Sequence, residues 1–420
     1  MIGVGFGLAQ IPVEQGEAMG GYDDRRGGVS GTLDPLSARA ITIDDGHRRF
    51  ALIVFDVICV NRDLAEAVRA EIDADLCWVS ATHTHAGPET GCHPGGAPTP
   101  PGIRDRLVTA AATAYRRARA GEAPLGARAV RTSVAGLAGT RAATIAEAMT
   151  VPVDMLTFVD EHDAVRGILV TVPVHPTVLP SSNTRVSADL AGGIRESLAE
   201  SFASPGGRPW VVATTGTAGD ISTRNTRRSR TAEATAALAG VVSGELADAL
   251  ERSRAVWAAS TPITLRDARR TIELPHLAGD DLDLPPVGSD ISGSTDDADL
   301  SRNEFTRRQG LELARALRSD ARASDYPFEI CGVALGNVVF IAIPAELFLR
   351  LGESIRDALA PASVFVIGYA NGYLGYLPDR SSFNAPTYET YASPVPQGSG
   401  ERVADEAILI GRALIIENGT

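Results

Sequence analysis

The chain has 420 residues, 44% of them hydrophobic and 22% charged, the balance of a folded globular protein, and its length admits one large domain or two ordinary ones. Thirty-nine basic against 52 acidic side chains leave a formal charge of −13, which argues against binding along a phosphate backbone; the one basic cluster, Arg224, Arg227, Arg228 and Arg230, is too short to reverse the repulsion. Every basic residue is Arg, so Schiff-base chemistry on Lys and a Walker-type phosphate-binding Lys are excluded.

The opening IGVGFG reads as a strand. Its Gly-x-Gly-x-Gly is no dinucleotide fingerprint, because no helix follows and the pattern ends in Gln10-Ile11-Pro12. No basic and then apolar leader precedes it, which predicts a cytoplasmic protein. Apolar, β-branched runs predict strands over 50–59 and 76–81, with an amphipathic helix over 62–74 between them. A Gly/Pro-rich loop over 86–102 leads to a helix over 103–119. Strands over 155–159, 168–172 and 211–215 alternate with helices over 187–202 and 230–253. Residues 279–300 hold seven Asp among Pro, Gly and Ser and read as an acidic loop or insertion. A helix over 301–319 follows, then an apolar run over 333–343 in which Gly336-Asn337 signals a hairpin. Helices over 346–359 and 401–416 flank a strand over 364–367. No run approaches the roughly 18 apolar residues of a membrane span. Cys59, Cys77, Cys92 and Cys331 lack any Cys-x-x-Cys spacing, and Cys59 and Cys77 read as small buried hydrophobes. With no repeat and no linker evident, residues 1–420 form one α/β domain, a mixed β-sheet core flanked by helices.

The chemistry-bearing residues fall at strand ends. His83 and His85 stand in ATHTHAGP after the strand LCWVSA. Positions i and i+2 of a strand project to one side, so both rings can reach a common point, and neutral His is the commonest zinc ligand. An isolated His-x-His fits a hydrogen-bonded turn equally well. His175, in VPVHPTVLP, again closes a strand, with Pro176 barring continuation into a central strand; taken alone it reads as structural. TTGTAGDISTRN follows the strand VVAT with the Gly and small residues that let a backbone approach a ligand. Ser222 stands there outside any Gly-x-Ser-x-Gly elbow, and on the residues alone a plain Gly-rich turn is the simpler reading. Glu346 opens a helix in AIPAELFLRLG, as a ligand or as a cap. VIGYANGYLGYLP gathers Tyr369, Tyr373 and Tyr376, three of the chain's eight Tyr, and buried phenols need partners.

In this order the motifs resemble the neutral, non-lysosomal ceramidases. MGGYDD with LSARAITID is similar to that family's MxGY…ARAF segment, ATHTHAGPE to its GTHTHSGP, and VPVHPTVL to its THPT motif. GTAGDISTRN resembles NxGDVSPN, with Thr223-Arg224 in place of Pro-Asn; IPAELFLRLG resembles the PGEF segment; GYANGYLGYLP with TYETYAS resembles the stretch from N-x-Y-x-x-Y to a later Tyr-Glu. The resemblance implies an α/β catalytic domain with a central zinc held by His83, His175, Glu346 and Tyr376. It places Ser222 at the catalytic serine and His85 as support beside the metal. Arg141, in GTRAA, matches an active-site Arg, and Tyr388 a Tyr that binds the substrate carbonyl. It spans the catalytic domain and stops short of the family's immunoglobulin-like C-terminal domain.

The expected function is therefore that of a zinc-dependent hydrolase cleaving the linear amide of an N-acyl amine, with His85 as the acid that protonates the leaving nitrogen. The net charge and the lack of a basic amphipathic helix favour a small or polar substrate over membrane-resident ceramide. The acidic stretch 279–300 points to a cationic amine near the pocket mouth. Two alternatives stay open: an amide-forming or acyl-transfer enzyme using the same zinc and serine, and a non-catalytic binding protein on the same fold. No nucleic-acid partner and no stable membrane insertion are expected, and the oligomeric state is undetermined.

Overall fold

In the segment RFALIVF, Ala51, Ile53 and Phe55 point to one face and Leu52 and Val54 to the other, and all five are buried. A strand apolar on both faces must be covered on both. In the computed structural model, which describes residues 1–142, 149–253, 263–277, 298–319 and 324–416, helices cover one face and a second sheet covers the other.

The larger sheet has eight strands: β1 (Ile2–Gln10), β2 (Ser37–Asp44), β3 (Arg49–Phe55), β4 (Leu76–Ala81), β5 (Ala123–Ala135), β6 (Thr150–Val159), β7 (Val165–Val172) and β8 (Trp210–Thr215), in the order β8-β7-β6-β5-β1-β2-β3-β4. The smaller runs β9 (Leu265–Leu274), β10 (Tyr326–Leu335), β11 (Val338–Ala342) and β12 (Ser363–Ile367) in sequence order. Helices α1 (Arg62–Glu71), α2 (Pro101–Ala120), α3 (Asp189–Ser201) and α4 (Ala232–Ser253) accompany the first sheet. Later come α5 (Ala298–Ser319), α6 (Leu349–Ala358) and α7 (Ser399–Ile416). The two sheets pack face to face through Leu52, Val54, Trp78 and Phe158 on one side and Val333, Phe340 and Phe365 on the other. The outer face of the small sheet, with Val339, Ile341 and Val366, is covered by Leu351 and Ile355 of α6 and Val403 and Ala407 of α7. The result is a helix–sheet–sheet–helix sandwich.

The expected single α/β core with a mixed sheet is present, and every predicted helix has its counterpart. Strands β2, β5 and β9 lie where no apolar run marks them. The acidic stretch 279–300 falls outside the described residues apart from 298–300, which begin α5. Among the described residues no helix is long and apolar enough to cross a membrane. The glycines of β1 have a packing role: a Cβ on Gly5 would sit 2.0 Å from the carbonyl oxygen of Ala118, and on Gly7 1.9 Å from that of Ala114, so α2 lies directly on the strand.

The absence of a sequence repeat hides a repeat of connectivity. In β1–β4, in β5–β8 and in β9–β12 alike, the first three strands pair antiparallel, a helix (α1, α3 or α6) follows the third, and the fourth returns parallel to it. The first two units share one sheet through the antiparallel pair β1·β5. In each unit the third and fourth strands end on the same edge, and those edges carry the site.

Candidate metal and active site

The three units deliver their loops to one point. The first supplies His83 and His85 just past β4. The second supplies His175 past β7 and Ser222 past β8, and these two form an isolated parallel bridge in which the His175 N–H donates to the Ile221 carbonyl at 2.9 Å. The third supplies Glu346 past β11 and Tyr376 past β12, again registered as parallel partners. Hydrogen bonds lock the units together: Ala81 N–H donates to Tyr369 O at 3.1 Å, Asn371 N–H to Val79 O at 2.7 Å, and Thr215 Oγ1 to Thr82 O at 2.7 Å. His83, Tyr369 and Asn371 adopt positive φ of 62°, 54° and 65°, a conformation that non-glycine residues keep only where the surroundings enforce it.

Backbone carbonyls aim two of the imidazoles. His83 Nδ1 lies 2.6 Å from Ile58 O, and His175 Nδ1 lies 2.6 Å from Ala218 O. Each Nδ1 therefore carries the proton, and each Nε2 turns a lone pair inward. Glu346 Oε2 stands 3.0 Å from His175 Nε2 and 3.5 Å from His83 Nε2, and His85 Nε2 is 3.3 Å from His83 Nε2. Burial lowers the His83 pKa to about 4 and the His175 pKa to about 3, and puts His85 well below its ordinary value. All three rings are neutral at pH 7, the ligating form. Among the described residues, His83, His85 and His175 form a buried cluster that could hold a metal.

This donor set fits a zinc-like cation. The separations of Glu346 Oε2 from the two Nε2 atoms, 3.0 and 3.5 Å, bracket the edge, about 3.3 Å, of a tetrahedron with bonds of about 2.0–2.1 Å. Glu346 is steadied from behind, since Tyr373 OH donates to its Oε1 at 2.5 Å and Tyr369 OH to its Oε2 at 3.2 Å. Burial raises both phenol pKa values, so they remain donors. The clustering of Tyr in the sequence signalled a need for partners; only the fold reveals a carboxylate as that partner.

Above the donors lies a cleft of ≈ 100 Å³ lined by His85, Arg141, Ser222, Tyr376 and Tyr388, among others. Arg141 NH1 donates to Tyr376 OH at 3.2 Å and lies 3.1 Å from His175 Nε2. Its Nε pairs with Glu389 at 2.7 Å. Burial works against the guanidinium charge, and Glu389, with Tyr376 and Glu346, more than offsets it. The Tyr388 ring meets Tyr376 edge-on at 6.0 Å. Ser222 is buried, and its Oγ accepts from Arg224 N–H at 3.3 Å. The eight residues to which the resemblance gave roles thus meet in one place: His83, His175 and Glu346 beneath, with His85, Arg141, Ser222, Tyr376 and Tyr388 facing the cleft. Sequence reasoning missed Glu389, Tyr369 and Tyr373 as partners of Arg141 and Glu346. It also missed Asp220, whose Oδ1 accepts from Leu349 N–H at 2.8 Å at the start of α6 and whose carbonyl accepts from Arg141 N–H at 2.7 Å.

No family model and no curated protein matches the sequence. Solved structures do. A ceramidase complexed with C2 superposes with a TM-score of 0.75 at 18% identity, over 98% of this chain and 75% of that one. The neutral ceramidase from Pseudomonas aeruginosa gives 0.75 at 17% identity, over 98% and 74%. Across nearly its whole length, the chain has the fold of the neutral ceramidases.

Proposed function

We propose that the protein is a zinc-dependent hydrolase of linear amides that cleaves a small or polar N-acyl amine. The observation that carries this is the convergence of two backbone-anchored Nε2 atoms on one buried carboxylate oxygen, directly beneath a cleft whose lining includes Ser222, Arg141, Tyr376 and Tyr388. His83, His175 and Glu346, with Tyr376 above them, would hold the zinc. When bound, zinc supplies Lewis acidity at the acyl carbonyl.

The chain's own groups account for the rest. An amide is a poor electrophile, so the charge that develops on its oxygen needs donors already in position. Arg141, kept charged and oriented by Glu389, and the Tyr388 hydroxyl are those donors. Ser222 presents its hydroxyl at the cleft wall, bridged in register to His175. His85 faces the same space, and among the described residues its Nδ1 has no hydrogen-bond partner; the neutral ring would first take the proton that the attacking hydroxyl or water releases and then pass it to the leaving nitrogen. The four cysteines are free, which suits a reducing, cytoplasmic setting.

Elemental analysis of protein purified without added metal tests the metal, with near-stoichiometric zinc expected and its loss in His175→Ala. Release of carboxylic acid from a panel of N-acyl amines tests the reaction. Ser222→Ala should retain zinc and fold while losing most turnover. Full activity in metal-stripped protein would sink the proposal.

A further inference from the structure

Two cavities meet at one residue. The cleft above the donors measures ≈ 100 Å³. A recess about seven times as large, ≈ 720 Å³, lies between β1, α3 and the start of α4. Among the described residues Leu179 alone lines both. It is 5% exposed and belongs to the core that also holds Leu36 and Val186.

The Leu179 backbone is held on both sides. The N–H groups of Val178 and Leu179 donate to the two oxygens of the buried Asp189 at 3.1 and 2.9 Å, and the Leu179 carbonyl accepts from the Tyr22 hydroxyl at 2.8 Å. Bonds to a carboxylate are among the stronger kind, so the wall between the cavities is fixed in place. The recess behind it suits an aliphatic chain. Leu8, Leu33, Pro35 and Ala236 line part of it, and the charged side chains around it are engaged within the protein. Arg195 pairs with Asp56 at 2.6 and 3.0 Å, and Glu196 and Glu200 with Arg208 at 3.1 and 3.5 Å. Arg39 donates to the Val211 carbonyl at 2.8 Å, and Asp34 accepts from the Ala188 N–H at 2.8 Å. What such a recess offers a ligand is the burial of apolar surface.

Leu179 stands on one particular side of the cleft. The Tyr22 ring that holds it meets His85 edge-on at 4.9 Å, and His85 is the group that would protonate the leaving nitrogen. Arg141 and Tyr388, the donors for the acyl oxygen, are instead placed with Glu389 and Tyr376. The amine arm of a bound amide therefore runs from His85 past Tyr22 towards Leu179.

We infer that Leu179 is a specificity-determining residue: it closes the cleft on the amine side and restricts the substrate to amides of short-chain amines. This deepens the amidase proposal and rests on it. A long alkylamine arm has to pass Leu179 to reach the recess, and shortening that side chain joins the two cavities.

The test uses zinc-loaded, full-length protein and the N-acetyl amides of ethylamine, butylamine and octylamine. In the parent, kcat/KM for the ethyl amide should exceed that for the octyl amide by about tenfold or more, on the scale of what a closed pocket discriminates. In Leu179→Ala the ratio should fall or invert, by about fourfold for each methylene that enters the recess, the worth of burying one CH₂ group. Ala236→Phe, which fills the recess from α4, should return the ratio towards the parent's when added to Leu179→Ala. Leu179→Val should move the ratio in the same direction by less, and carries the test if Leu179→Ala does not fold. Calorimetric binding of N-acetyloctylamine against N-acetylethylamine reads the same ratio without turnover. A matched series that varies the acyl chain on ethylamine separates the two arms: a shift confined to that series places Leu179 on the acyl side and overturns the inference. An unchanged ratio in the Leu179 variants, or a parent that takes the octyl amide as readily as the ethyl amide, also overturns it and leaves the amidase proposal standing. A binding ratio that shifts as expected without hydrolysis of any probe does the reverse. Neither a shift nor hydrolysis removes both.

Discussion

Tyr373→Phe isolates the link between the buried carboxylate and the metal. Glu346 is 1% exposed and takes one phenol donor on each oxygen, Tyr373 at 2.5 Å on Oε1 and Tyr369 at 3.2 Å on Oε2. The substitution deletes the shorter bond and keeps the ring, so packing is preserved. A hydrogen bond to a charged acceptor is worth about 1.5–3 kcal/mol. Loss of a partner that orients a metal ligand lowers metal affinity by about 10- to 100-fold, equivalent to about 1.4–2.8 kcal/mol. The first figure bears on the fold of the metal-free protein and the second on metal affinity, so both should fall. Chelator competition for zinc should show the weakened affinity, and urea unfolding of the metal-free protein should show a loss of about 1.5–3 kcal/mol. Tyr369→Phe is expected to lose less through the longer bond, since its ring still stacks on His83 at 4.1 Å. In Tyr373→Phe/Glu346→Gln the losses should be non-additive, because both act on one carboxylate. Unchanged zinc affinity in both Tyr373→Phe and Glu346→Gln would refute the reasoning.

Arg195→Leu strands Asp56, a 1%-exposed carboxylate that accepts from Arg195 NH1 at 2.6 Å and NH2 at 3.0 Å; the cost should be about 3–5 kcal/mol in urea unfolding, with much of it recovered in Asp56→Leu/Arg195→Leu. Gly7→Val drives a side chain into the Ala114 carbonyl and should cost about 1–3 kcal/mol or more, whereas Gly240→Ala in α4, where a Cβ meets nothing within 4 Å, should gain up to about 1 kcal/mol; equal effects would contradict the packing of α2 on β1. Burial pushes the Asp220 pKa up to about 7, so folding takes up a proton between the unfolded value, about 4, and 7. The stability this group contributes is full at low pH and is lost as pH rises through that window. Asp220→Asn keeps an acceptor for Leu349 N–H and should gain on the parent, by a few kcal/mol, as pH goes from 4 to 8; a pH-independent gap in Tm would show that Asp220 does not titrate there.

The sequence by itself determined the local chemistry. Strands apolar on both faces such as RFALIVF, the Gly336-Asn337 hairpin and the helices α1 to α7 are written in short-range patterns, because burial and turn geometry act over a few residues. The resemblance of the ordered motifs to the ceramidases likewise marked His83, His85, Arg141, His175, Ser222, Glu346, Tyr376 and Tyr388, since each lies in a short segment that can be matched by itself. Strand β5 was illegible: its burial alternates irregularly, and it is held by β1 and β6 on either side and not by an apolar run. The triple β-β-β-α-β connectivity was illegible too, because pairing direction is a relation between distant segments and leaves no residue period in the chain. The same holds at the site. Only the tertiary structure decided that Tyr369 and Tyr373 hold Glu346, that Glu389 holds Arg141 across 248 positions, and that the arginines after Ser222 turn into the cleft. Those partnerships exist because three parallel strand pairs end on one edge, and the hydrogen bonds that align the edges join residues as far apart as Val79 and Asn371.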